Sequence, residues 1–120
     1  MSFPSGTYYI GDLGYVLTDP QWDEVCELTH LGNWREEKEG LFMLKSGILF
    51  SLFTTKHGDG IYKDQEDRTY VVDSATIGCI PVHAISTITQ KGHVVTLDKS
   101  FTPYKHNSLL HFGTICIDTE

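Results

Sequence analysis

Leu41-Phe-Met-Leu-Lys-Ser-Gly-Ile-Leu-Phe-Ser-Leu-Phe53 is the stretch that decides the fold class. Two apolar runs, 41–44 and 48–53, flank Lys45-Ser46-Gly47, which reads as a hairpin turn with Gly47 supplying a positive φ. Apolar residues fall on consecutive positions, not alternate ones. That pattern predicts strands covered on both faces and placed centrally in a sheet. Further β-prone runs lie on either side: 6–10, 15–17, 61–63, 69–72, 75–80, 94–97 and 109–117. Branched and aromatic side chains dominate them, as suits a pleated surface. The 11 glycines fall mostly between these runs and punctuate a compact antiparallel arrangement. Tyr8 and Tyr9 alternate across their strand, so one of the two is expected to face the core.

One segment reads differently. Asp19-Pro20 is a helix start, with the Asp19 carboxylate as cap and Pro20 losing nothing at the first helical position. Trp22, Val25, Cys26 and Thr29 follow at i, i+3, i+4 and i+7, on one face of a helix ending near Leu31, with Gly32 as its stop. The expected fold is α+β: a single compact domain over residues 1–120, mainly antiparallel β-sheet of roughly eight short strands with one packed α-helix. Residues 81–86 form one helical turn or a crossover. Gly6-Thr-Tyr-Tyr-Ile10 is echoed by Gly113-Thr-Ile-Cys-Ile117, as if the first and last strands were sheet neighbours.

Composition excludes several classes of function. At 120 residues, 40 % hydrophobic and 12 % aromatic, the chain has enough apolar matter for a core and is not disordered. Nine basic against 16 acidic residues give a net charge of −7, which repels a nucleic-acid polymer. No apolar run approaches the ~20 residues of a membrane-spanning helix. Met1-Ser2-Phe3-Pro4 carries neither the basic nor the apolar region of a secretory signal. Three cysteines suit free thiols in a reducing compartment, so the expected location is the cytoplasm.

The densest polar segment runs from Lys56 to Asp73. Lys56, Lys63 and Arg68 hold a third of the nine basic residues. His57-Gly58-Asp59-Gly60 is a turn whose glycines let backbone approach a ligand. Tyr62 and Tyr70 are placed to stack on a base, and Asp73, Asp12 and Tyr15 to complete the lining. This is where charge permits a small anionic ligand such as a nucleotide. The same segment also reads as a solvated hairpin tip. Its acids miss the alternation of a calcium loop, since Asp59 is followed by Gly60, Ile61 and Tyr62. Cys79 and His83 form a single loose pair, short of a closed zinc site. No metal or cofactor is expected. Ser74 lacks the surroundings of a nucleophile elbow. Paired carboxylates among Asp12, Asp59 and Asp73 leave a hydrolase or lyase as the alternative to a binding protein.

Several stretches carry a resemblance: Gly6-Thr-Tyr-Tyr-Ile-Gly-Asp12 with Tyr15-Val-Leu17, Trp22-Asp-Glu-Val-Cys26, Gly58-Asp-Gly-Ile-Tyr62, Val72-Asp-Ser74, Ile77-Gly-Cys-Ile80 and Phe112-Gly-Thr-Ile-Cys-Ile-Asp-Thr119. In them the chain resembles an uncharacterised family of small bacteriophage and bacterial proteins. It departs from that pattern at Gly14, where the family has Cys, and at His57, where it has Tyr. The resemblance implies a phage-encoded, cytoplasmic anti-defence protein that acts by stoichiometric binding, sequestering a nucleotide signal or blocking a host defence protein. Read from the residues themselves, the acidic surface and Trp34 also allow a protein–protein inhibitor. A homo-oligomer is compatible with so small a chain.

Overall fold

The computed structural model describes residues 2–33 and 35–120. Trp34 therefore lies outside the described residues. Among the described residues, ten strands form two antiparallel five-stranded sheets, with one α-helix against the outer face of the first. Sheet 1 has the order β2 (Gly40–Met43), β3 (Leu49–Thr54), β6 (Thr76–Pro81), β1 (Gly6–Gly11), β7 (His93–Leu97). Sheet 2 has the order β5 (Thr69–Val72), β4 (Gly60–Asp64), β10 (Ile115–Asp118), β9 (Leu109–Phe112), β8 (Tyr104–His106).

The fold class follows the sequence; several details are corrected. Sheet 1 is sandwiched, so its three central strands, β3, β6 and β1, bury both faces. Tyr8 and Ile10 point between the sheets, while Tyr9 packs with Leu13, Val25, Phe50 and Ile80 beneath the helix layer. Tyr8 and Tyr9 are thus both buried, because this strand has a covered surface on each side. The same logic holds for β3, where Phe53 faces the intersheet core and Phe50 and Leu52 face the helix. Its hairpin partner β2 is an edge strand with no fully buried residue, so only one of the two apolar runs is central. The run 109–117 is two strands, since Gly113 at φ 62 folds it into a hairpin. First and last strands are not neighbours: β1 lies in sheet 1 and β10 at the middle of sheet 2.

Helix α1 spans Asp19–Thr29, with Thr18 as its cap in place of Asp19. Thr18 Oγ1 accepts from the Gln21 amide, and Gln21 Oε1 accepts from the Thr18 amide at 3.0 Å. This reciprocal pair satisfies two groups that a helix start otherwise leaves bare. His30, in the left-handed region at φ 54, ends the helix two residues before Gly32. Among the described residues, no helix is long and apolar enough to cross a membrane.

The chain crosses between sheets at 55–59, 73–75 and 98–103. Strand register puts the first two crossings at one end of the sandwich, where β1 finishes, and the third at the opposite end. These ends carry the two candidate sites.

Candidate functional site

At the first end, Gly11 leads β1 into Asp12, which is 1 % exposed. Its carboxylate accepts four hydrogen bonds: Oδ1 from the Gly14 amide (2.9 Å) and Ser74 Oγ (2.9 Å), Oδ2 from the Asp73 and Ser74 amides (2.8 Å each). Asp59 Oδ1 accepts from the Ala75 amide at 2.8 Å. Both acids thereby hold the 73–75 crossing in place. Asp12, Gly14, Tyr15, Trp22, Asp73 and Ser74 line a small recess of about 200 Å3. Burial, then the charges of Asp73, Asp12 and Asp59, push the Tyr15 phenol up from its ordinary value. The Lys91 ammonium sits 4.3 Å from the centre of the Tyr15 ring. The fold therefore assembles the three carboxylates named from sequence, and their field favours cations over anions.

The cations of 56–68 are not assembled. Lys56 precedes β4 and pairs with Glu120 at 2.6 Å. Arg68 lies beyond the far end of that strand, roughly 13 Å of extended backbone away. There Arg68 Nε donates to Asp64 Oδ2 at 2.8 Å, and its Nη2 pairs with Glu66 at 3.0 Å. Lys63 projects outward from the strand between them. His57, Gly58, Asp59 and Gly60 form the turn into β4. His57, Asp59, Gly60 and Lys63 border an open depression that they share with Asp118 and Glu120. Two cationic or titratable groups there face three carboxylates. Tyr62 and Tyr70, directly opposite each other on β4 and β5, both point into the intersheet core. Tyr62 Oη donates to the Gly58 carbonyl at 2.7 Å and Tyr70 Oη to Asp64 Oδ2 at 2.7 Å. Neither ring is available to stack on a base, because each is buried and held from within.

The Asp64 cluster is a structural clamp with a pH signature. Burial alone would raise this carboxyl, but Tyr70 Oη, the Glu66 amide and the Arg68 guanidinium and amide outweigh it and hold it below the usual carboxylate range. A carboxyl depressed by folding contributes stability above its unfolded pKa of about 3.9 and loses it as pH falls through the lower folded value. Thermal melts of the wild type and Asp64→Asn should therefore differ most at pH 6–7 and converge as pH falls below about 4. A gap that stays constant with pH would remove charge from the account.

The opposite end holds a recess that the sequence did not single out. It measures about 500 Å3 and lies between the 98–103 crossing and the Gly113-Thr114 turn. Leu97 and Phe101 form its apolar side. Phe101 is fixed from below by an edge-on contact with Tyr8 at 5.1 Å and by paired backbone bonds to Phe3. Ser100 and Thr114 supply hydroxyls, while Thr96 Oγ1 is shared with Thr7 Oγ1 at 3.0 Å. Lys99 and Asp98 stand at the rim, and Lys99 makes no ion pair among the described residues. Tyr104, at the side, is 53 % exposed and stacked on His111 with centroids 4.3 Å apart and planes 9° from parallel. Gly113 is required by geometry: its φ is +62, and a Cβ there would stand 3.1 Å from both Leu97 methyls. A polar loop, Asp98-Lys-Ser100, between two apolar anchors was the available signal in the sequence.

Among the described residues, no group of three or more His, Cys, Asp or Glu is arranged to hold a metal ion. Cys79 is buried, and burial pushes its thiol well above its ordinary value, while Cys26 and Cys116 are half-buried and raised by the same cause first. No family model, curated protein or solved structure matches the chain.

Proposed function

We propose that the protein is a non-enzymatic binding protein that captures a small anionic ligand in the recess between the 98–103 crossing and the Gly113-Thr114 turn. One observation carries this reading: a Lys99 with no ion pair among the described residues, on a recess of about 500 Å3 that also bears hydroxyls, within a chain of net charge −7. That volume falls within the range of small-molecule sites, and a few aimed polar groups on an apolar floor are what such sites use. In the phage setting that the sequence resemblance implies, capture without turnover would withhold a signalling molecule from host defence in the cytoplasm.

The test is native mass spectrometry of freshly purified protein, followed by denaturation and analysis of what is released. A bound anion recovered chemically intact supports capture; recovery of altered products overturns it. For whichever phosphate-bearing compound binds, Lys99→Ala should weaken affinity about tenfold, the worth of one charge-assisted contact. An unchanged dissociation constant by titration calorimetry would take the site away from Lys99.

A hydrolase or lyase using Asp12, Asp59 and Asp73 is the second reading, favoured by the recess that gathers Asp12, Asp73 and Tyr15. Against it, Asp12 spends both oxygens on backbone and Ser74 donors, and Asp59 spends one on Ala75. Asp73→Asn, at an exposed carboxylate, should leave ligand recovery unaltered if capture is the function.

A further inference from the structure

Tyr104 is the single Phe, Tyr or Trp among the described residues that is largely exposed. Rings left in water offer apolar area at little entropic cost to whatever covers them. This one is not loose: His111, directly opposite on β9, lies parallel to it at 4.3 Å. One face is thus pinned, and no other ring of the described residues lies against Tyr104. Tyr104 also borders the same recess as Lys99. The recess therefore combines a preset aromatic platform, an ammonium with no ion pair among the described residues, and the hydroxyls of Ser100 and Thr114.

We propose that the captured ligand is a nucleoside phosphate, its base stacked on the free face of Tyr104 and its phosphate on Lys99. This rests on the capture reading above and names the ligand class. Stacking accepts any base because every base presents a π-face. The hydroxyls of Ser100 and Thr114 match the donor and acceptor needs of a sugar phosphate. Inorganic phosphate or a sugar phosphate would use Lys99 and leave Tyr104 bare, so the ring separates the ligand classes.

The experiment titrates the full chain with the common nucleoside monophosphates, ribose phosphate and inorganic phosphate, followed by calorimetry. At least one nucleotide should bind about tenfold tighter than ribose phosphate. Tyr104→Leu should erase that advantage without moving the ribose phosphate affinity, and Tyr104→Trp should preserve it. The side chain is exposed, so circular dichroism should show all variants folded. If nucleotides and ribose phosphate bind the wild type equally, or if Tyr104→Leu keeps the difference, the base assignment falls while anion capture stands. If none of the phosphate compounds binds the wild type, the capture reading falls with it.

Discussion

Gly78→Ala is expected to destabilise the protein by about 3 kcal/mol or more, lowering Tm by roughly 10–15 °C. Gly78 sits on β6 between β1 and β3, opposite Gly11 on one side and Leu52 on the other. A Cβ added there would lie 2.4 Å from the Ser51 carbonyl oxygen and 2.8 and 2.9 Å from Leu13 Cδ1 and Cγ. Leu13 is fully buried beneath the helix layer, and the Ser51 carbonyl belongs to a central strand. Neither can step aside by changing rotamer, so the strand itself must shift. Overpacking of this kind costs more than the removal of a methyl because a close-packed interior has no slack. Gly32→Ala gives the comparison. That residue has φ +91 and nothing within 4 Å of its added Cβ, so its cost is conformational, about 1 kcal/mol. Equal losses at the two positions, measured by denaturant titration, would show that the crowding around Gly78 is not what matters.

Asp12→Ala should cost about 3–5 kcal/mol, because it strands three backbone amides at once and leaves the Ser74 hydroxyl only Thr76 Oγ1 as partner. Asp12→Asn keeps the shape and one acceptor oxygen, yet turns an N–H2 group toward donors, so an intermediate loss is expected. Hydrogen exchange gives the local readout: the Asp73 and Ser74 amides should exchange faster in both variants, beyond what global destabilisation accounts for. Those two amides keeping wild-type exchange while a substrate goes unprocessed would instead mark Asp12 as a reacting group. Against a typical total of 5–15 kcal/mol, either this change or the one at Gly78 removes a large part of the stability.

Much of the architecture was legible because it is local. The apolar hairpin 41–53 announced a doubly covered sheet, and Asp19-Pro20 announced a helix. Even the true cap was readable, since Thr18 and Gln21 stand at the spacing of a reciprocal capping pair. Tyr104-Lys-His106 escaped notice because so short an edge strand carries neither alternation nor an apolar run. The site was less legible, for a geometric reason. Lys56 and Arg68 are neighbours in sequence, but the strand between them, Gly60–Asp64, sets them at opposite ends of the sandwich. Tyr62 and Tyr70 occupy inward positions of their strands, which only the pairing register reveals. The recess at 96–104 and 113–114 joins segments that are remote in the chain, so no window of sequence contains it.

β10 lies at the centre of sheet 2, with β4 on one flank and β9 on the other, although it comes last among the ten strands. While the chain is being synthesised, that layer can exist only as two separate hairpins, β4–β5 and β8–β9, until residues 115–118 have left the ribosome. Isolated two-stranded hairpins are marginal in water, so the layer must close late and in one cooperative step. A nascent protein of this design carries open β edges until β10 arrives, and its yield in the cell should track how well chaperones shield them in that interval.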